Sequence, residues 1–283
     1  MKTGQSRPGR KPTRESVPLT RALDRGLSIL ELLAKSPGSS LSDISRDLAL
    51  SPSTVSRLLN TLCERGFVAQ SPETKTFRMG PQAFHVGMVF ARQNRLDQIA
   101  SPILRTFARG IGDTISLCIR DGSDVIYIDQ YEGGGTARAV IQIGSRHPLH
   151  CTAAGKAMLA WLWDERIREL LGPNELPAMT SKTIRRVDDL LRDLETVRRN
   201  GYATDLEELE DGVCCVASPI RSSAGEIVGA VSLSTVAPRL DPDRIKAVGA
   251  ELLRVTNEIS RLIGWIPNGN DRAAPASWDI FYD

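Results

Sequence analysis

The 283-residue chain has no apolar run near the roughly 20 residues that a membrane helix needs, so no spanning segment is expected. Its N-terminus, Met1 to Arg14, is polar and basic and lacks the apolar stretch of a secretory signal, so none is expected. Aromatic residues are scarce, at 5%, which argues against a large aromatic-lined cavity. Five cysteines, at 63, 118, 151, 214 and 215, form no CxxC pair and no even set. That excludes a disulfide framework and fits reduced thiols in the cytoplasm. No internal repeat is visible. What remains is ordinary globular composition, 41% hydrophobic and 25% charged, which excludes wholesale disorder. The length suits about two domains.

The net charge of +2 is unevenly spread: residues 1–80 hold 13 Lys and Arg against 7 Asp and Glu, and the remainder is acidic. A basic N-terminal third suggests a polyanion partner for that part alone. A solvated basic tail would give the same arithmetic.

Residues 1–18, with Lys2, Arg7, Arg10, Lys11 and Arg14 among Gly, Pro and Ser, read as a flexible basic arm. A helix is expected from Thr20 to Ser36-Pro37-Gly38, with Leu23, Leu27, Leu30 and Leu33 or Ala34 inward. A second runs from about Leu41 to Leu48, with Leu41, Ile44 and Leu48 inward, and Ala49-Leu50 turns the chain. Ser51 is the N-cap of a third helix, Pro52 its first residue and Gly66 its stop. Val55, Leu58, Leu59 and Leu62 form its apolar stripe. Gly66–Gln70 and Thr76–Met79 then form a hairpin around residues 71–75.

Farther on, helical patterns begin at Pro81 and cover 97–109, about 155–163, 187–200 and 241–263. Strands are expected at Thr114–Arg120, Val125–Tyr131, Ala137–Ile143, Val213–Arg221 and Glu226–Thr235. The acidic run 205–211 reads as a solvated or interface helix, apart from Asp205.

Helix, tight turn, helix and hairpin in a basic segment form the pattern of a winged helix-turn-helix, whose third helix enters the DNA major groove. Ser53, Arg57 and Asn60 lie opposite the apolar stripe, with Ser56 at its flank. Arg and Asn carry the forked groups that read guanine and adenine edges. Ser51, Thr54 and Ser56 suit phosphates, and Lys75 and Arg78 on the hairpin suit backbone or minor groove. A solvated helix on a small helical domain shares this pattern.

Specific stretches narrow the choice. RALDRGLSILELLA (21–34), LSDISRDLALSPSTVSRLLNTLCERGFV (41–68) and FRMGP (77–81) resemble the DNA-binding half of the IclR family of bacterial transcriptional regulators. LHCTAAGKAMLA (149–160), GYATDLEELEDGVCCVASPI (201–220) and GEIVGAVSLSTVAPRL (225–240) resemble that family's effector-binding half. The resemblance spans about residues 19–264, in the expected order. It implies an α/β (α+β) chain: a winged helix-turn-helix domain at 19–81, a linker helix at 82–94, a GAF/PAS-like effector-binding and oligomerisation domain at 95–264, and a tail at 265–283. It implies homodimers, often paired into tetramers, on palindromic double-stranded operator DNA, and no cofactor.

The same resemblance places a small-carboxylate effector, 2-oxo acids included, between the loop 151–155 and the facing strands. Ala153 and Ala154 would offer backbone N–H groups, Asp205 and Cys215 match pocket positions, and Ser232 and Ser234 alternate on one strand and so share a face. Ala153 stands where the family's namesake has glycine. The lining suggests a small polar acid such as glyoxylate or pyruvate, with an aromatic acid as the alternative.

Other chemistry is weaker. His147, His150 and Cys151 lack structural-zinc spacing, so no metal is expected. Position 150 is not glycine, so Lys156 completes no P-loop. A Cys/His-dependent enzyme and a purely architectural DNA-binding protein are the rival functions. No catalytic residue is assigned.

Overall fold

A computed structural model describes residues 20–93, 95–134, 142–173 and 175–266. The chain divides into two compact units, residues 1–90 and 91–283. The expected basic arm, the tail beyond residue 266 and most of the expected strand Ala137–Ile143 lie outside the described residues. The last two residues of that strand, Gln142 and Ile143, are in no strand.

The first unit opens with α1 (Arg21–Lys35), α2 (Leu41–Asp47) and α3 (Pro52–Glu64), followed by β1 (Val68–Gln70) paired antiparallel with β2 (Phe77–Met79). Ile29, Leu33, Ile44, Val55, Leu59, Val68 and Phe77 form its core. One expectation is corrected here. Leu33 is buried as expected and Leu30 half-buried, but Leu23 and Leu27 are exposed, and Gly26 and Ile29 are buried in their place. The helix carries apolar residues on two neighbouring stripes, and docking against α3 and β2 selects one of them. Thr20 sits at the N-cap but its side chain makes no capping bond. Ser40 and Asp43 form a reciprocal capping box on α2 that the sequence reading passed over. Gly66 ends α3 at φ +72°, where a side chain would be strained. The helix α4 (Pro81–Gln93) follows.

The second unit contains α5 (Arg95–Ile111), β3 (Thr114–Asp121), β4 (Asp124–Tyr131), β5 (Arg146–Pro148), α6 (Ala153–Leu159), α7 (Asp164–Leu171), α8 (Val187–Asn200), β6 (Ala203–Leu206), β7 (Val213–Arg221), β8 (Ile227–Val236) and α9 (Pro242–Ile263). The strands form one antiparallel sheet in the order β5-β4-β3-β8-β7-β6. Alternation along each strand sends residues to two separate cores. One face, with Cys118, Tyr127, Cys215 and Ala217, packs under α6 and α8. The other, with Ile115, Leu117, Val216 and Leu233, packs against α5 and α9.

Three expectations change in this unit. The helix expected at 155–163 is α6, ending at Leu159, and a separate α7 begins at Asp164. The apolar run through Trp163 hides that break, while Asp164 and Glu165 suit a new first turn. β5 and β6 were not expected. The acidic run 205–211 is the end of β6 and a series of bends, not a helix. Glu207 stands at φ +65°, which no continuous helix accommodates.

Candidate functional site

In the first unit, Val55 and Leu59 turn α3 inward, which leaves Ser53, Arg57 and Asn60 exposed on its opposite side. Ser56 and Thr54 are half-buried. The Thr54 backbone N–H donates to Ser51 Oγ at 3.3 Å, and that oxygen lies 2.8 Å from Thr54 Oγ1 and 3.2 Å from Ser53 Oγ. These hydroxyls thus form one capping cluster, and Arg57 and Asn60 are the longer groups on the open face. Lys75, at φ +57° on the hairpin tip, and Arg78 on β2 are both exposed. Among the described residues, Arg57, Lys75 and Arg78 have no ion-pair partner, so their charge is available to a polyanion.

In the second unit, strand register gathers the expected effector residues. Asp205 on β6 pairs with Cys215 on β7, Cys215 with Ser234 on β8, and Ser234 with Thr114 on β3. One step along, Ala203, Ala217, Ser232 and Ser116 make a parallel row. Directly opposed residues share a face, here the face under α6. Ala153 and Ala154 open α6 above it, and all six expected residues are more than nine-tenths buried. Small side chains across both rows keep this part of the sheet low.

Burial dominates the electrostatics on this face. Burial pushes the Asp205 carboxyl up to about 7, against backbone N–H bonds from Glu208 at 2.7 Å and Leu209 at 3.4 Å and the nearby Lys156 charge. Burial also pushes the Cys215 thiol well up, and its Sγ donates to Ser234 Oγ at 3.2 Å. Cys151 is pushed up to about 12 and Cys118 well above its usual range, again by burial. Protonated thiols hydrogen-bond weakly and are poor nucleophiles.

The start of α6 is held tightly. Thr152 Oγ1 accepts from the Gly155 N–H at 3.1 Å. A Cβ on Gly155 would stand 2.2 Å from the Leu149 carbonyl oxygen, so packing alone demands glycine there. Lys156 is almost wholly buried, with Nζ 2.5 Å from Glu208 Oε1 and 3.0 Å from Asp193 Oδ2. Burial alone would lower its ammonium, but the two carboxylates outweigh it and the net direction is up. Sequence reading missed this network because its members stand far apart in the chain and meet only when α6, α8 and the turn after β6 pack together. Thr183 Oγ1 donates to the Glu208 carbonyl at 2.6 Å and locks the same turn.

His150 Nε2 donates to the Pro177 carbonyl at 2.9 Å, and burial lowers its pKa. His147 packs edge-on to Tyr127. Among the described residues no three His, Cys, Asp or Glu side chains are placed to hold a metal ion. An open groove of about 640 Å³ between α5 and α9 includes none of the expected effector residues.

Comparisons with known proteins agree with both halves. Residues 22–72 match the family model for the IclR helix-turn-helix domain, and residues 89–261 match that for the C-terminal part of bacterial IclR transcriptional regulators. The chain is similar to the HTH-type transcriptional regulator BhcR of Paracoccus denitrificans, at 36% identity over 85% of this chain and 86% of BhcR. It is similar to the HTH-type transcriptional repressor AllR of Escherichia coli K12, at 37% identity over 86% of this chain and 90% of AllR. Among solved structures it resembles Thermotoga maritima IclR, with a TM-score of 0.69 and 32% identity over 87% of this chain and all of that one.

Proposed function

The chain belongs to the IclR family of bacterial transcriptional regulators, DNA-binding proteins rather than enzymes, and on that premise we propose that it senses a small carboxylate and alters its operator binding in response. The effector in this reading is a 2-oxo acid such as glyoxylate or pyruvate. It lies against Ala153, Ala154, Asp205, Cys215, Ser232 and Ser234. Register carries the reading: four adjacent strands align Asp205, Cys215, Ser234 and Thr114 under α6 as one row of short polar groups. Burial raises the Asp205 carboxyl to about 7, which lessens its charge near neutrality and so its repulsion of an anionic ligand.

On the DNA side, Ser53, Arg57 and Asn60 read bases. Ser51, Thr54 and Ser56 meet phosphates, and Lys75 and Arg78 grip the backbone or minor groove. The protein acts in the cytoplasm, as the family does, and as a homodimer that pairs further. Exposed Leu23, Leu27, Phe84 and Val86 in the first unit support self-association. AllR is named a repressor, which supports repression as the sign of control.

The test is operator binding at fixed salt, on DNA from upstream of the protein's own gene, titrated with 2-oxo, hydroxy and aromatic acids. A shift with 2-oxo acids is expected. A response to aromatic acids alone would overturn the effector class.

A further inference from the structure

Ser116 on β3 is fully buried, and among the described residues its hydroxyl has no hydrogen-bond partner. Ser45 and Ser145 also lack one, but both residues are only half-buried. On the sheet's other face, buried Ser218 is paired with Thr256 Oγ1 at 2.9 Å, so this fold satisfies a sheet hydroxyl where it is structural. An unpaired buried hydroxyl costs stability unless something else completes it. Ser116 directly opposes Ser232 and stands diagonal to Ser234, on the face under α6.

We propose that Ser116 is a specificity contact for a second polar group of the effector, favouring a 2-oxo acid with a terminal hydroxyl over one ending in a methyl. The inference rests on the acid-effector reading above. Diagonal neighbours on antiparallel strands lie about 7–8 Å apart. A three-carbon acid with a hydrogen bond of about 2.8 Å at each end bridges that gap. Ser234 and its row then take the carboxylate end, and Ser116 takes the hydroxyl.

Hydroxypyruvate and pyruvate differ by that one group. Calorimetric titration of both acids into wild type and Ser116→Ala tests the assignment. The substitution is expected to weaken hydroxypyruvate about 3- to 10-fold, one ordinary hydrogen bond, and to leave pyruvate within about twofold. The ligand-free melting temperature should hold or rise, because the alanine removes an unpaired polar atom. Equal losses for the two acids, no loss for either, or a lower melting temperature would overturn the Ser116 contact alone. If neither acid binds the wild type, the Ser116 contact falls; glyoxylate binding in the same titration keeps the acid-effector reading, and its failure as well overturns that reading.

Discussion

Asp205 shows how one residue serves fold and site together. Its Oδ1 holds the turn after β6 through the Glu208 and Leu209 N–H groups, and its burial raises its pKa to about 7. The unfolded chain releases this proton near the ordinary carboxylate value of about 4, so the folded state holds it more tightly between those limits. Stability from this group is therefore present at low pH, declines as pH rises from about 4 to about 7, and is flat above. Asp205→Asn keeps the acceptor oxygen and removes the proton. Its stability relative to wild type should improve from pH 5 to pH 8 by on the order of 2–4 kcal/mol at the upper limit, read by urea unfolding. No change between the two pH values would mean an ordinary carboxyl. On the DNA side, Arg57→Ala should cost about 1–3 kcal/mol on the operator and relax its specificity. Lys75→Ala should weaken all sequences alike and flatten the salt dependence. Equal losses for Arg57→Ala on operator and random DNA would make it a phosphate contact.

Among the elements, α6 is the one most tied to its surroundings. It is short, wholly buried and capped by Thr152, and Lys156 anchors it to the β6–β7 turn through Glu208 and to α8 through Asp193. Removing the cation leaves Glu208 buried without its counter-charge, because that residue is only 7% exposed. Lys156→Met should destabilise the protein by about 3–5 kcal/mol in denaturant unfolding. Adding Glu208→Leu should recover most of that loss, since Asp193 is partly solvated and Glu208 Oε2 is itself unpartnered among the described residues. A double variant as unstable as the single one would show that the pair is not the anchor. This element was half legible beforehand. The TAAGKA stretch marks its start, but nothing local in the sequence marks the carboxylates that Lys156 meets.

For the whole molecule, two compact units in one chain mean that ligand control requires a difference in free energy between arrangements of the DNA-reading heads. Homodimer formation is what would give such heads a spacing to change. Leu27 is 50% exposed and Phe84 72% exposed, and neither serves the first unit's own core. Leu27→Asp with Phe84→Asp should lower the sedimentation coefficient toward that of a single chain and weaken operator binding, while acid binding holds. An unchanged oligomer would move the self-association surface elsewhere.

Local chemistry already determined α2, α3 and their turn, because Ser51, Pro52 and Gly66 act within a few residues of where they stand. It also determined the β3–β4 and β7–β8 hairpins and the helix from 242, where alternation or capping is strong. The shared face of Ser232 and Ser234 follows from the two-residue period of a strand. The docked stripe of α1 was decided only by tertiary packing, since apolar residues lie on two neighbouring stripes and the one richer in leucine is not the one that docks. The break between α6 and α7 lay hidden inside one apolar run. The row from Asp205 through Cys215 and Ser234 to Thr114, the ion network of Lys156 and the unpaired hydroxyl of Ser116 depend on strand order and register. Those are set by pairing between segments far apart in the chain, and no single segment encodes them.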